Sequence, residues 1–193
     1  MKKVDIIRIR YIFHCVFKRN GYEHVAFLKR HNVFYSMGDN CFFQPWNVSA
    51  DSKYVRLGNN VVVASGVEFI CHDVVDNMLN HSVSRSEITK PLGEGYRRYW
   101  GTIDIGSNVF IGARAMLLPN VQVGNNVIIA AGALVNSDIP DNVIVGGVPA
   151  KIIGKLDDFI IKRKQYSETE LAQLGRSERI AYLWNIKESG KDE

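Results

Sequence analysis

The sequence predicts an all-β core wound as a parallel β-helix, flanked by helical segments at both ends, and three observations predict it. Aliphatic residues recur six apart at Ile105, Ile111, Leu117, Val123, Ile129 and Val135, and a shorter stretch of the same pattern lies upstream at Leu57, Val63 and Phe69. The residue four after a rung is again apolar, as at Val61, Val67, Val109, Val121, Val127 and Ile139. The residue directly after a rung is often very small: Gly58, Ala64, Gly106, Gly112, Gly124 and Ala130. A helix needs apolar spacings of three and four in alternation, and a strand needs two. Six is the period of hexapeptide coils, three of which make one turn of a triangular prism whose inward side chains stack into columns. The glycines beside the rungs suggest corners at positive φ. Asn59, Asn60, Asn108, Asn125 and Asn126 fall at the same corners and tolerate left-handed backbone.

At the N-terminus, residues 4–31 mix apolar and basic residues, with Ile6, Ile9, Phe13, Val16 and Phe17 near helical spacing, so residues 1–33 are read as a helical segment. The basic residues there are read as a solvated helix face rather than a membrane contact. Asp5, Arg8 and Arg10 interrupt any apolar run, so neither an export signal nor a membrane span is read. From Phe34 to Tyr54 aromatics and breakers obscure the period, which predicts an irregular first coil.

Regular coils begin at Leu57. Had the period continued past Phe69, a coil would start at position 75, yet the next good rung is Ile105, so about 30 residues leave the helix as a loop spanning roughly 75–104. Tyr96, Tyr99 and Trp100 mark that loop as ordered and contact-making, with anchor residues suited to a neighbouring prism. After Val135 the sequence Asp138-Ile139-Pro140 breaks the spacing, and the coils are expected to end there. The β-helix domain is therefore placed at 34–155 and a C-terminal helical segment at 156–193. Ser167 and Glu170 have capping-box spacing before Leu171, Leu174, Ala181 and Trp184.

The chain has 193 residues and a net charge of +4, too weakly basic to argue for nucleic acid. Three cysteines, Cys15, Cys41 and Cys71, are odd in number and lack metal-type spacing, which fits free thiols in a reducing cytoplasm.

The stretch from Ile105 to Ile153 ends its hexapeptides with an acidic residue, Ile and Pro, then Gly146-Gly147-Val148-Pro149-Ala150-Lys151. That combination resembles the hexapeptide-repeat acyltransferases, in the branch of maltose, galactoside, nodulation-factor, xenobiotic and capsular sugar O-acetyltransferases, over roughly residues 40–155. The resemblance implies a left-handed β-helix, a hand opposite to the usual rule for parallel crossovers. It also implies a homotrimer with acetyl-CoA between neighbouring prisms. A histidine at the start of the protruding loop acts as general base in that family, and His72 holds the position in Phe69-Ile70-Cys71-His72-Asp73. Acyl-CoA contacts carry over to Ala113, Ala131, Asn136, Ser137 and Lys151, and Gln44 aligns near an acceptor-holding asparagine. Asn136 and Ser137 replace a common Thr-Lys pair. Gly154 takes a usual basic position, with Lys155 one place beyond.

The residues themselves lead to the same histidine. Asp73 stands where the repeat demands an inward apolar side chain, so the coil breaks at His72, and function is expected where local rules fail. Acetyl transfer from a thioester to a hydroxyl needs the hydroxyl proton removed, which a histidine does near neutral pH. His81, in the loop, is the rival for the base and a candidate acceptor contact. His14, His24 and His31 are read as surface or packing residues, Cys71 as packing, and Asp73 as serving a turn or orienting His72. The predicted function is acetyl-CoA-dependent O-acetylation of a sugar or polysaccharide-precursor hydroxyl by direct transfer. Acetylation of a xenobiotic and a non-catalytic scaffold are the alternatives. A zinc anhydrase on the same prism needs three histidines around the metal, and none follows His81.

Overall fold

The computed structural model describes residues 3–81 and 95–189. Residues 82–94 of the expected loop lie outside the described residues. Two units are distinguished, residues 1–154 and 155–193.

In the first unit short strands fall into three sheets, and the pairing follows the hexapeptide period. β1 (Ser36–Met37), β3 (Val55–Leu57), β6 (Ile103–Ile105) and β9 (Val121–Val123) form one face. β2 (Phe42–Phe43), β4 (Val61–Val63), β7 (Val109–Ile111), β10 (Val127–Ile129), β12 (Val143–Gly146) and β13 (Lys151–Lys155) form the second. β5 (Glu68–Phe69), β8 (Met116–Leu117) and β11 (Leu134–Val135) form the third. Strands β1 to β12 pair in parallel with their counterparts one coil away, as Leu57 with Ile105 and Ile105 with Val123. That is a parallel β-helix. The first of these registers also shows that the segment between Cys71 and Gly101 leaves the prism and rejoins it in phase.

The rungs Leu57, Val63, Ile105, Ile111, Leu117, Val123, Ile129 and Val135 are all buried, as are Val61, Val109, Val121 and Val127 four residues after rungs. Burying each such side chain contributes roughly 1.5–3 kcal/mol before entropy is charged. Their stacking supplies the core that strands of two or three residues lack alone.

The corner glycines differ from the expectation. Gly58 and Gly106 are not at positive φ; a Cβ on Gly58 would lie 2.6 Å from the Gly106 carbonyl oxygen, and one on Gly106 2.6 Å from that of Gly124. Glycine is needed there because the next coil passes too close for a side chain. Left-handed backbone falls instead on Asn60, Asn108, Asn126 and Asn142, with φ of 54°, 58°, 58° and 63°. Their amides form a ladder, each Nδ2 donating to the Oδ1 of the next coil at 3.0, 2.9 and 2.9 Å.

The first coil is more regular than its sequence, since β1 and β2 pair in parallel with β3 and β4. The last coil also runs on beyond Val135. Ile139 bridges to Val123 and β12 pairs with β10, with the Asp138 and Asp141 carboxylates accepting from the Gln122 and Asn125 amides.

Helices α1 (Lys3–Phe17) and α2 (Gly21–Arg30) belong to this same unit. Asn20 caps α2 by accepting from the Tyr22 amide at 2.9 Å. The Tyr11 hydroxyl donates to the Pro45 carbonyl at 2.8 Å, and the buried His24 ring lies 2.8 Å from the Phe43 carbonyl and 2.6 Å from that of Lys18. These bonds pin both helices to the first coil. Cys15, Cys41 and Cys71 are buried free thiols.

The second unit carries α4 (Leu156–Ser167), α5 (Glu170–Gln173) and α6 (Arg176–Ser189). The expected capping box does not form. Ser167 ends α4 and donates its hydroxyl back to the Arg163 carbonyl, while the helix begins at Leu156 with Asp157 and Asp158 in its first turn, where carboxylates favour the helix dipole. Among the described residues no helix is long and apolar enough to cross a membrane.

Candidate active site

β5 runs into Cys71, the last buried residue before the chain leaves the prism, and His72 is the first residue past it. The excursion starts with α3 (Val75–His81) and returns through Tyr99 and Trp100. The two ends are clasped: Gly101 N–H donates to the Cys71 carbonyl at 2.8 Å, and His72 pairs with Trp100 in an antiparallel bridge. Trp100 packs on the imidazole with ring centres 4.5 Å apart, and Tyr54 stacks on Trp100 at 5.1 Å. These aromatic residues are therefore engaged within the chain, as is Tyr99, whose hydroxyl accepts from Asn120.

The imidazole is held from its other side by Asp51. His72 Nδ1 donates to the Asp51 carboxylate, which is buried in the turn before β3, where its N–H is bound to the Ser49 hydroxyl at 3.1 Å and its carbonyl accepts from Tyr54 at 2.8 Å. An ionised carboxylate only accepts, so the pair places the proton on Nδ1 and leaves the Nε2 lone pair free. The side chain of His72 is about a quarter exposed, at 28%. Half-buried, oriented and still reachable is the condition of a general base.

His72 and Asp51 share a cavity of about 630 Å³ with Gln44, Trp46, Glu68 and Arg8 of α1. Gln44 thus lies in the same hollow as His72. His81 does not line it: it sits exposed at the end of α3, its Nδ1 2.6 Å from the Asn77 carbonyl. Asp73 accepts from the Val75 amide at 3.1 Å and so serves the turn into α3. The Cys71 thiol is pushed up to about 11, first by burial and then by the Asp51 carboxylate, which leaves it a packing residue.

Ala113 and Ala131 stand at equivalent corners of successive coils. The Gly132 amide donates to the Ala113 carbonyl at 2.9 Å, and one coil earlier the Arg114 amide donates to Ser65 at 3.0 Å. Ser65 lines the His72 cavity, so the corner column Ser65, Ala113, Ala131 begins at the cavity and runs down the prism. Asn136 and Ser137 are exposed just past β11, and Lys151 follows Ala150, whose amide donates to Leu134 at 2.8 Å. None of these five candidates lines the cavity itself. Among the described residues no group of three or more His, Cys, Asp or Glu is placed to hold a metal.

Sequence reasoning missed Asp51 and Arg8. Asp51 stands 21 residues before His72 in a stretch without a clear period, and Arg8 reads as one basic residue among several on an amphipathic helix. An acidic residue among the breakers of the first coil was the available signal.

The profile described as "Bacterial transferase hexapeptide (six repeats)" matches residues 102–137. The galactoside O-acetyltransferase of Escherichia coli K12 is 33% identical over 65% of this chain, an alignment spanning 59% of that relative's length. Protein CapG of Staphylococcus aureus is 32% identical over 77% of this chain and 81% of its own. A chloramphenicol acetyltransferase of Escherichia coli is 38% identical over 64% and 58%. Among solved structures, a maltose O-acetyltransferase from Clostridium difficile superposes with a TM-score of 0.55 at 21% identity, covering 79% of this chain and 84% of that one, a likeness of fold. With its hexapeptide period realised as stacked parallel coils, and with relatives that match it over most of their length, the chain belongs to the hexapeptide-repeat acyltransferase family.

Proposed function

We propose that the protein is an acetyl-CoA-dependent O-acetyltransferase that acts on a hydroxyl of a sugar or polysaccharide precursor by direct transfer, with His72 as general base. The observation that carries this reading is the His72–Asp51 pair at the wall of an open cavity. Acetyl-CoA supplies the acyl group as a thioester. The acceptor lies in the cavity, held by Gln44 and stacked against Trp46, with its hydroxyl at Nε2 of His72. As the hydroxyl oxygen attacks the acetyl carbonyl, Nε2 takes its proton; the C–O bond forms, the C–S bond breaks, and the proton passes from His72 to the departing thiolate. Asp51 holds the tautomer and stabilises the imidazolium formed on the way. Such a base contributes about 10²- to 10⁴-fold.

The donor runs along the corner column from Ser65 past Ala113 and Ala131, small residues that leave the backbone amides accessible. Lys151, with Asn136 and Ser137, meets its phosphates. Because those residues lie outside the cavity, the reading includes a second prism closing the groove, in a left-handed, cytoplasmic homotrimer. The relative named a galactoside O-acetyltransferase supports a sugar acceptor. The test is thiol release from acetyl-CoA over a panel of galactosides and chloramphenicol, with sedimentation of the enzyme. Acetyl ester on a sugar hydroxyl and a trimer are expected. Preference for chloramphenicol would make it a xenobiotic enzyme; no CoA binding and no transfer to any hydroxyl would leave a scaffold.

A further inference from the structure

Arg8 projects from α1 into the wall of the His72 cavity, and its Nε is buried without a hydrogen-bond partner. Its side chain makes no ion pair or hydrogen bond with the described residues. One turn along the same helix, Tyr11 is fully buried and bonded to the Pro45 carbonyl at 2.8 Å, so the helix is fastened at this point and Arg8 is held over the cavity. The remaining charged groups in the cavity do not satisfy it: Asp51 is engaged by His72, and Glu68 is exposed and unpaired with Arg8. The cavity wall is mixed, with Phe34, Phe43 and Val48 beside Gln44, Asn47 and Ser49, and none of these bonds the Arg8 side chain. A guanidinium with its Nε buried and no counterion is costly, and an anion that enters relieves that cost.

We propose that Arg8 reads an anionic group on the acceptor, so that the acetylated hydroxyl belongs to a sugar bearing a carboxylate or a phosphate. This rests on the cavity being the acceptor site. The planar fork of Arg binds either anion through two parallel N–H bonds, a geometry that lysine does not reproduce. Carboxylate and phosphate share this chemistry, and the substrate panel separates them.

The experiment compares galactose, galacturonate and galactose 1-phosphate, both as acceptors and as ligands titrated calorimetrically without acetyl-CoA. For the native enzyme, kcat/KM and affinity favour at least one anionic sugar over galactose by about ten- to a hundredfold, the usual worth of a hydrogen bond to a charged group. Whichever anion is preferred names the source. Arg8→Gln brings the anionic-to-neutral ratio close to one, and Arg8→Lys retains part of it. Thermal unfolding of both variants serves as the folding control. Equal treatment of the three sugars by the native enzyme, or a preference that survives Arg8→Gln, overturns the proposal. Anion binding through Arg8 without transfer to any sugar would sink the acetyltransferase reading and leave the anion site standing; transfer with no Arg8 dependence would do the reverse.

Discussion

The coils from Ile103 to Val135 and the stretch that joins Asp51 to His72 belong to the same prism and are built on opposite terms. In the coils every rung is aliphatic and buried, and Asn108 and Asn126 each find a counterpart asparagine one coil away. Around His72 the period fails, the titratable pair His72–Asp51 forms, and a loop leaves the prism and is clasped at its two ends. Repetition gives rigidity at low cost in information, because each coil solves the same packing problem. A site that binds and orients must interrupt that repetition, and it holds its shape by specific bonds instead.

If this division holds, changes around His72 fall on turnover and changes in the coils fall on stability. The largest effect belongs to His72→Ala, which should lower kcat by about 10²- to 10⁴-fold with little change in the KM for acetyl-CoA or in the melting temperature. Asp51→Asn should lower kcat by about ten- to a hundredfold, since it loses a hydrogen bond to a charged partner and with it the tautomer. His81→Ala is the comparison variant; if it abolishes turnover while His72→Ala retains it, the base has been misassigned.

Next comes the core. Ile111→Ala removes a fully buried rung and should cost about 2–5 kcal/mol in denaturant unfolding. The kcat of the protein that remains folded should stay near native. A collapse of kcat without loss of stability would erase the division between the two regions.

A smaller effect separates the two tasks of the asparagine ladder. Asn108→Ala removes the short polar side chain that lets asparagine adopt φ 58° and also breaks two amide bonds, and it should cost about 1–2 kcal/mol or more. Asn108→Gly keeps the backbone and loses only the bonds, so it should cost less. Equal losses would mean that the ladder, not the left-handed turn, is what selects asparagine. Smallest of all, Lys151→Ala should raise the KM for acetyl-CoA about three- to tenfold, as an exposed cation does for a phosphate, and more weakly at high salt. An unchanged constant removes Lys151 from the donor site.

Much of the architecture was legible because the signal repeats. The ladder through Leu57, Ile105 and Val123 located the three-sheet prism and the length of the excursion, and the break at Asp73 pointed to His72. The corner glycines were legible as corners but not for their reason: the sequence shows small residues, while the 2.6 Å approach of the next coil is a property of stacked backbones. Ser167 failed as a cap because capping-box spacing is a local pattern, and α4 had already formed from Leu156.

By itself, then, the sequence determined the period, the inward columns, the place where the chain leaves the prism and the histidine at that place. Those follow from side-chain alternation and residue size, which are written along the chain and reinforced at every coil. The tertiary structure alone decided that Asp51 rather than Asp73 orients His72, that Trp100 returns to cover the imidazole, and that Arg8 faces the same cavity. Such contacts join residues from irregular segments whose separation bears no relation to the coil length. Their proximity depends on how a turn, a loop and a helix pack against the prism, which no periodicity encodes.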